Sequence, residues 1–246
     1  MFKHERADKI MAILKKHKYT TVDYLVGELH YSPATIRRDL TYLYTLGLVE
    51  KSYGGVSIKE KAKPFIVREH ENVAKKTRIC QEAAKLIGDH CNVFIDGTTT
   101  TFFMHEFLEG KKGVTVATSN LRLALELGEK KIPCYVTGGR VLDTSFLVGP
   151  CAVDTINKMN FDICFFSTGA ISEEGSIAMG EALAPHTRAA IERASKVACL
   201  CDSSKLNAPF LLNFMSLKDV DFFVSDAEFD ADFKERFPHT EFIAAR

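Results

Sequence analysis

A chain of 246 residues with 46% hydrophobic and 26% charged side chains has the composition of a folded globular protein, enough for one large domain or two modest ones. Its 32 basic and 32 acidic side chains cancel, so the whole-chain charge points to no partner. The distribution is more informative: residues 1–63 hold 12 basic against 7 acidic side chains, a balance of +5, which leaves 20 against 25, or −5, for residues 64–246. A basic head on an acidic body implies that only the head meets a polyanion. The seven cysteines, at 80, 91, 134, 151, 164, 199 and 201, include no C-x-x-C pair, so the spacing reads as free thiols and not as a zinc site. No metal or cofactor is expected. No apolar run approaches the roughly 18 residues that cross a bilayer, and no apolar stretch follows the opening Met-Phe-Lys-His-Glu-Arg. A cytoplasmic, reduced protein with no membrane partner is the expectation.

Residues 1–58 read as three short helices and a hairpin. Ile10, Ile13 and Leu14 recur at helical spacing, with Arg6, Lys9, Lys15 and Lys16 on the other side. Thr20 and Thr21 can cap a second helix carrying Val22, Leu25, Val26 and Leu29. Ser32-Pro33 is a start signal, an N-cap followed by proline at the first helical position. Behind it Ile36, Leu40 and Leu43 form a narrow apolar stripe, and Gly47 supplies the stop. Leu48–Ser52 and Val56–Ile58 can pair through the turn Tyr53-Gly54-Gly55.

Residues 59–64 (KEKAKP) have no apolar face and end in proline, which reads as a linker. The body, 65–246, opens with a helical stretch up to Gly88 and then changes character. Short apolar runs at 92–95, 114–117, 134–136, 163–166, 197–201 and 222–224 each end in small or polar residues, usually before a helix. Strands alternating with helices predict a mostly parallel α/β sheet covered on both faces.

In the head, burying Ile36 and Leu40 turns Thr35, Arg37, Arg38 and Thr41 outward. A helix-turn-helix whose second helix shows two arginines in its first two turns suits the major groove of operator double-stranded DNA, where guanidinium can take guanine bidentately. Ser32 starts that helix, Lys15 and Lys16 would lie on phosphates, and Tyr53 and Gly54 would tip a wing. The run Thr35-Ile36-Arg37-Arg38-Asp39-Leu40, with Leu43, Gly47 and the Gly-Gly turn, resembles the amino-terminal signature of the DeoR family of bacterial transcriptional regulators. Tyr53 stands where that family usually has histidine.

In the body, Asp96-Gly97-Thr98-Thr99-Thr100-Thr101 follows one strand and opens a helix. Four hydroxyls and free backbone N–H groups at a helix start make an anion site suited to a phosphate monoester, and four threonines exceed what a cap requires. Ser119, Asn120, Gly138, Gly139, Gly169, Asp202 and Lys205 lie at other strand ends and should converge, since ligands of open parallel sheets sit beyond the carboxyl ends of strands. Lys205 would face the phosphate, and Asp96 or Asp202 would take sugar hydroxyls. These segments resemble the DeoR sensor domain, similar in fold to ribose-5-phosphate isomerase and the coenzyme A transferases. That resemblance adds Glu181 and implies a phosphorylated sugar effector. The loop departs from the usual D-x-G-T-T by carrying Thr98, and Arg188 replaces a common lysine.

Three functions compete: a ligand-responsive repressor of a carbohydrate operon, a sugar-phosphate isomerase or deaminase with a DNA-binding module, and an architectural DNA binder. No isomerase motif surrounds Asp162, Glu181 or Asp202, so the expectation is the repressor, with no catalytic residues. Paired half-sites call for a homodimer or higher even oligomer.

Overall fold

The computed structural model describes residues 3–17, 19–45, 48–52, 55–58, 65–143, 145–210 and 212–246. The chain divides into two compact units, Met1–Lys63 and Pro64–Arg246. The expected linker at 59–64, the wing tip at Tyr53 and Gly54, and the helix stop at Gly47 lie outside the described residues.

In the first unit, helices α1 (Lys3–His17), α2 (Val22–Leu29) and α3 (Pro33–Thr45) enclose Ile10, Leu14, Leu25, Ile36 and Leu43, all fully buried. Thr21 caps α2 by accepting from the Tyr24 N–H at 3.1 Å, and His30 ends it in the left-handed region with φ 54°. The apolar stripe of α3 differs from expectation in one place. Leu40 is only half-buried, while Asp39 is wholly buried because it receives Arg6 from α1. The hairpin forms between Val49–Ser52 and Gly55–Ile58, and a third strand, Tyr19–Thr20, joins it antiparallel. Gly55 sits within that sheet; a Cβ there would stand 2.4 Å from the Thr20 carbonyl oxygen. Close approach, not turn geometry, explains this glycine.

The second unit is built on seven strands, all parallel, in the order Glu241–Ala244, Phe222–Ser225, Ala194–Cys201, Phe161–Ser167, Asn92–Ile95, Thr115–Thr118, Cys134–Val136. Six correspond to the runs read from sequence. Two small antiparallel pieces lie outside it: Arg140–Leu142 with Phe146–Val148, and Ala170–Ile171 with Ser176–Ala178 and Asn213–Ser216. Phe94, Phe165, Phe166 and Phe223 are essentially solvent-free, each contributing roughly 1.5–3 kcal/mol by burial. Two helices open this unit, α4 (Phe65–Glu69) and α5 (Val73–Ala84). Cys80, Cys164, Cys199 and Cys201 are buried thiols, and no described helix is long and apolar enough to cross a membrane.

Candidate functional site

On α3, Arg37, Arg38 and Thr41 are exposed, as are Lys15 and Lys16 at the end of α1. No hydrogen bond or ion pair engages either guanidinium group among the described residues. The neighbouring hydroxyls are committed. Ser32 Oγ accepts from the Thr35 N–H at 3.3 Å and lies 3.0 Å from Thr35 Oγ1, so this pair is the cap of α3. Thr41 Oγ1 donates to the Arg37 carbonyl at 2.8 Å. What α3 offers a groove is the guanidinium pair.

The loop after Asn92–Ile95 divides its threonines between two tasks. Asp96 is buried, and Thr98 N–H, Thr98 Oγ1 and Thr101 Oγ1 donate to its Oδ1 at 3.0, 2.8 and 2.6 Å. Its Oδ2 takes the Ser167 N–H from the adjacent strand at 3.0 Å. Burial pushes the Asp96 carboxyl up, and these four donors oppose the shift. Both oxygens of Asp96, expected to take sugar hydroxyls, are engaged in folding the loop. Thr101 opens a 3-10 helix, Thr101–Phe107, in place of the α-helix expected.

Thr99 and Thr100 point elsewhere, each to a lysine. Lys205 Nζ donates to Thr100 Oγ1 at 2.9 Å and to Ser167 Oγ at 2.8 Å, and lies 3.5 Å from Asp202 Oδ2. Lys76 Nζ, from the first turn of α5, donates to Thr99 Oγ1 at 3.2 Å and to the Arg68 carbonyl at 2.5 Å. Lys76 is 3% exposed and has no ion pair among the described residues. Burial first, and the Lys205 charge second, push its ammonium down to about 8. Asp202 caps the short turn Ser203–Lys205 and also receives Asn72 Nδ2 at 3.3 Å. Burial alone would raise its carboxyl; Lys205, the Ser204 hydrogen bonds and Lys76 together hold it below the usual range.

Sequence reasoning missed Lys76. It was not among the strand ends, and a lysine in a helix's first turn looks like any solvated one. The only available signal was its place on the inward side of a helix carrying Ile79 and Ala83.

The remaining predicted residues shape the surroundings. Gly97 lies under Phe146, where a Cβ would meet the ring at 2.8 Å and Ser119 Oγ at 3.3 Å. Asn120 caps the helix Leu121–Glu129, accepting from the Arg122 and Leu123 N–H groups, while its buried Nδ2 has no partner among the described residues. Gly138 and Gly139 hold φ of 74° and 112°, and a Cβ on Gly139 would press the Val148 carbonyl oxygen at 2.7 Å. The Phe210 ring covers Gly169. Glu181 is exposed and has no polar partner among the described residues, so the structure does not bring it to the threonine loop by any contact. Arg188 stacks on Phe214 at 4.8 Å and donates to its carbonyl. Asp162, at the amino end of its strand, accepts from the Asn92 N–H.

Charge separates this cluster from a groove of about 520 Å³ beside Phe229 and Phe233. That groove sets Glu173, Glu174, Glu228, Asp230 and Asp232 against Arg236, the wrong sign for a phosphate. The threonine loop sets two lysines around two hydroxyls.

Two family patterns match the chain: "DeoR-like helix-turn-helix domain" over residues 6–62 and "DeoR C terminal sensor domain" over residues 71–227. The chain is similar to the HTH-type transcriptional regulator GlpR of Haloferax volcanii, 33% identical over 240 residues, spanning 96% of this chain and 94% of that one. It is 28% identical over 221 residues to the glycerol-3-phosphate regulon repressor of Haemophilus influenzae, covering 88% and 87% of the two. Among solved structures, eIF2B delta of Chaetomium thermophilum shares the fold at a TM-score of 0.50 and 14% identity, over 81% of this chain and 65% of that one.

Proposed function

Since the chain belongs to the DeoR family of transcriptional regulators, a family of DNA-binding regulators and not of enzymes, we propose a specific division of labour within it. Residues 1–58 read operator DNA, and residues 65–246 bind a phosphorylated sugar or short polyol phosphate that sets operator affinity. In the head, Arg37 and Arg38 enter the major groove, with Lys15 and Lys16 on the backbone. In the sensor, the phosphate meets Thr99 and Thr100 between Lys76 and Lys205, and Asp202 takes a hydroxyl of the ligand. Asp96, Thr98 and Thr101 hold the loop in shape.

One observation carries the effector reading: Lys76 is buried beside a second lysine with no ion-pair partner among the described residues. Desolvating a cation that makes no direct ion pair is costly, and such sites are stable where an anion completes them. The relative named for a glycerol-3-phosphate regulon supports a phosphorylated compound as the anion, and repression as the response. Half-site geometry supports a homodimer or higher even oligomer, and operator DNA supports a cytoplasmic location. The test is a thermal-shift screen of glycerol 3-phosphate and sugar phosphates against their unphosphorylated forms, repeated with operator DNA. Equal shifts with and without the phosphate group would sink the reading.

A further inference from the structure

Helix α4, Phe65–Glu69, follows directly on residues 59–64, which join the head to the sensor. Five residues are too few to hold a helix by themselves, since isolated helices shorter than about 12 residues are marginal in water. Its order depends on its seats. At its start the Phe65 N–H donates to Asp143 Oδ2 at 2.8 Å, and the buried Phe65 ring lies 5.2 Å from that of Phe146. At its end Glu69 pairs with Arg122 at 2.9 Å. The third seat is the Arg68 carbonyl, which accepts from Lys76 Nζ at 2.5 Å.

That same ammonium donates to Thr99 Oγ1 at 3.2 Å, so two of its three protons tie α4 to the threonine loop. We propose that Lys76 passes effector occupancy to α4: an oxyanion at Thr99 and Thr100 takes the third proton and so fixes in place the ammonium that holds the Arg68 carbonyl. The inference rests on the effector-site reading above. A buried ammonium that makes no direct ion pair gains a fixed charge and position when it faces an oxyanion. The bound state clamps the point at which the connecting residues enter the sensor.

Hydrogen exchange of the full-length protein, with inorganic phosphate as the probe, tests this. Saturating phosphate should slow exchange both in the loop 96–101 and at the amides of 65–70, the latter about tenfold, the worth of one charge-assisted hydrogen bond. Lys76→Met should lose the slowing at 65–70. If that variant does not fold, the wild-type measurement still decides. Protection of 96–101 with no change at 65–70 overturns the coupling and leaves the site standing. Protection of neither overturns the effector site, and the coupling with it.

Discussion

Arg6 of α1 and Asp39 of α3 close a two-point ion pair, Nε to Oδ2 at 2.7 Å and Nη2 to Oδ1 at 3.0 Å, on the inward side of the helix whose outward side shows Arg37 and Arg38. The fork of one guanidinium against one buried carboxylate sets the rotation of α3 about its axis, and with it the direction of the exposed arginines. Asp39→Asn should lower the melting temperature of the head and weaken operator binding together. Arg6→Lys, which keeps the charge and loses the fork, should fail to restore either. A wild-type melting curve and gel shift in Arg6→Lys would show that the pair does not orient α3.

The exposed arginines and the lysines of α1 should fail differently. Arg37→Ala or Arg38→Ala should cost about 1–3 kcal/mol of operator binding, and little on unrelated DNA, for whichever arginine reads a base. Lys15→Ala or Lys16→Ala should weaken all sequences alike and reduce the salt slope by roughly one. Titrations at several salt concentrations separate the two. Unchanged operator affinity in both arginine variants would remove α3 from the groove.

Within the threonine run, neighbouring substitutions should give opposite phenotypes. Thr100→Val leaves Lys205 one acceptor short and should cost about 1–2 kcal/mol of effector affinity, with folding little changed. Thr101→Val removes the 2.6 Å donor to the buried Asp96 and should cost about 1–3 kcal/mol of sensor stability. Denaturant melts beside ligand titrations of the two variants check this. A Thr100→Val protein that unfolds, or keeps wild-type affinity, assigns that hydroxyl to the fold alone.

The legible part of this molecule is that which repeats a local pattern. The cap at Ser32, the six apolar runs and the parallel sheet follow from spacing that any short window displays. The strand Glu241–Ala244 escaped because it is a four-residue edge strand with only Phe242 and Ile243 as bulky apolar residues. The fate of Asp39 depends on Arg6, 33 positions away, and the split among Thr98 to Thr101 depends on which hydroxyl meets Asp96 and which meets a lysine from another element. Local periodicity contains none of that. Lys76 is the plainest case, since only the fold turns an ordinary lysine into a buried one.

On the proposed site, Lys76 should also give the effector response a pH dependence with a definite sign. Its ammonium, facing Lys205, Arg68, Asp202 and Glu71, is held down to about 8, so it is charged below that pH and neutral above it. A phosphate monoester becomes a dianion above roughly pH 6. Effector affinity should rise through about 6 and fall above about 8. For the empty protein the sign is reversed. Between about 8 and 10.5 the unfolded state binds this proton and the native state does not, so the Lys76 contribution to stability grows as pH rises through that window. Calorimetric titrations across roughly pH 6 to 10 should show the fall in affinity, and Lys76→Met should remove it. A flat alkaline limb in the wild type would mean that Lys76 does not meet the ligand.

The Lys205–Thr100 bond joins residues 105 positions apart, across the neighbouring strands Asn92–Ile95, Phe161–Ser167 and Ala194–Cys201. During synthesis the head can complete its small core as soon as its own residues have emerged, since every member of that core lies between Ala7 and Val56. The sensor cannot assemble its two-lysine cradle until three separate strands have aligned and residue 205 has left the ribosome. In a growing chain the core of the head is thus complete well before the proposed effector cradle can form. On the proposed site, a premature stop between the head and Lys205 should leave a fragment that does not respond to the effector.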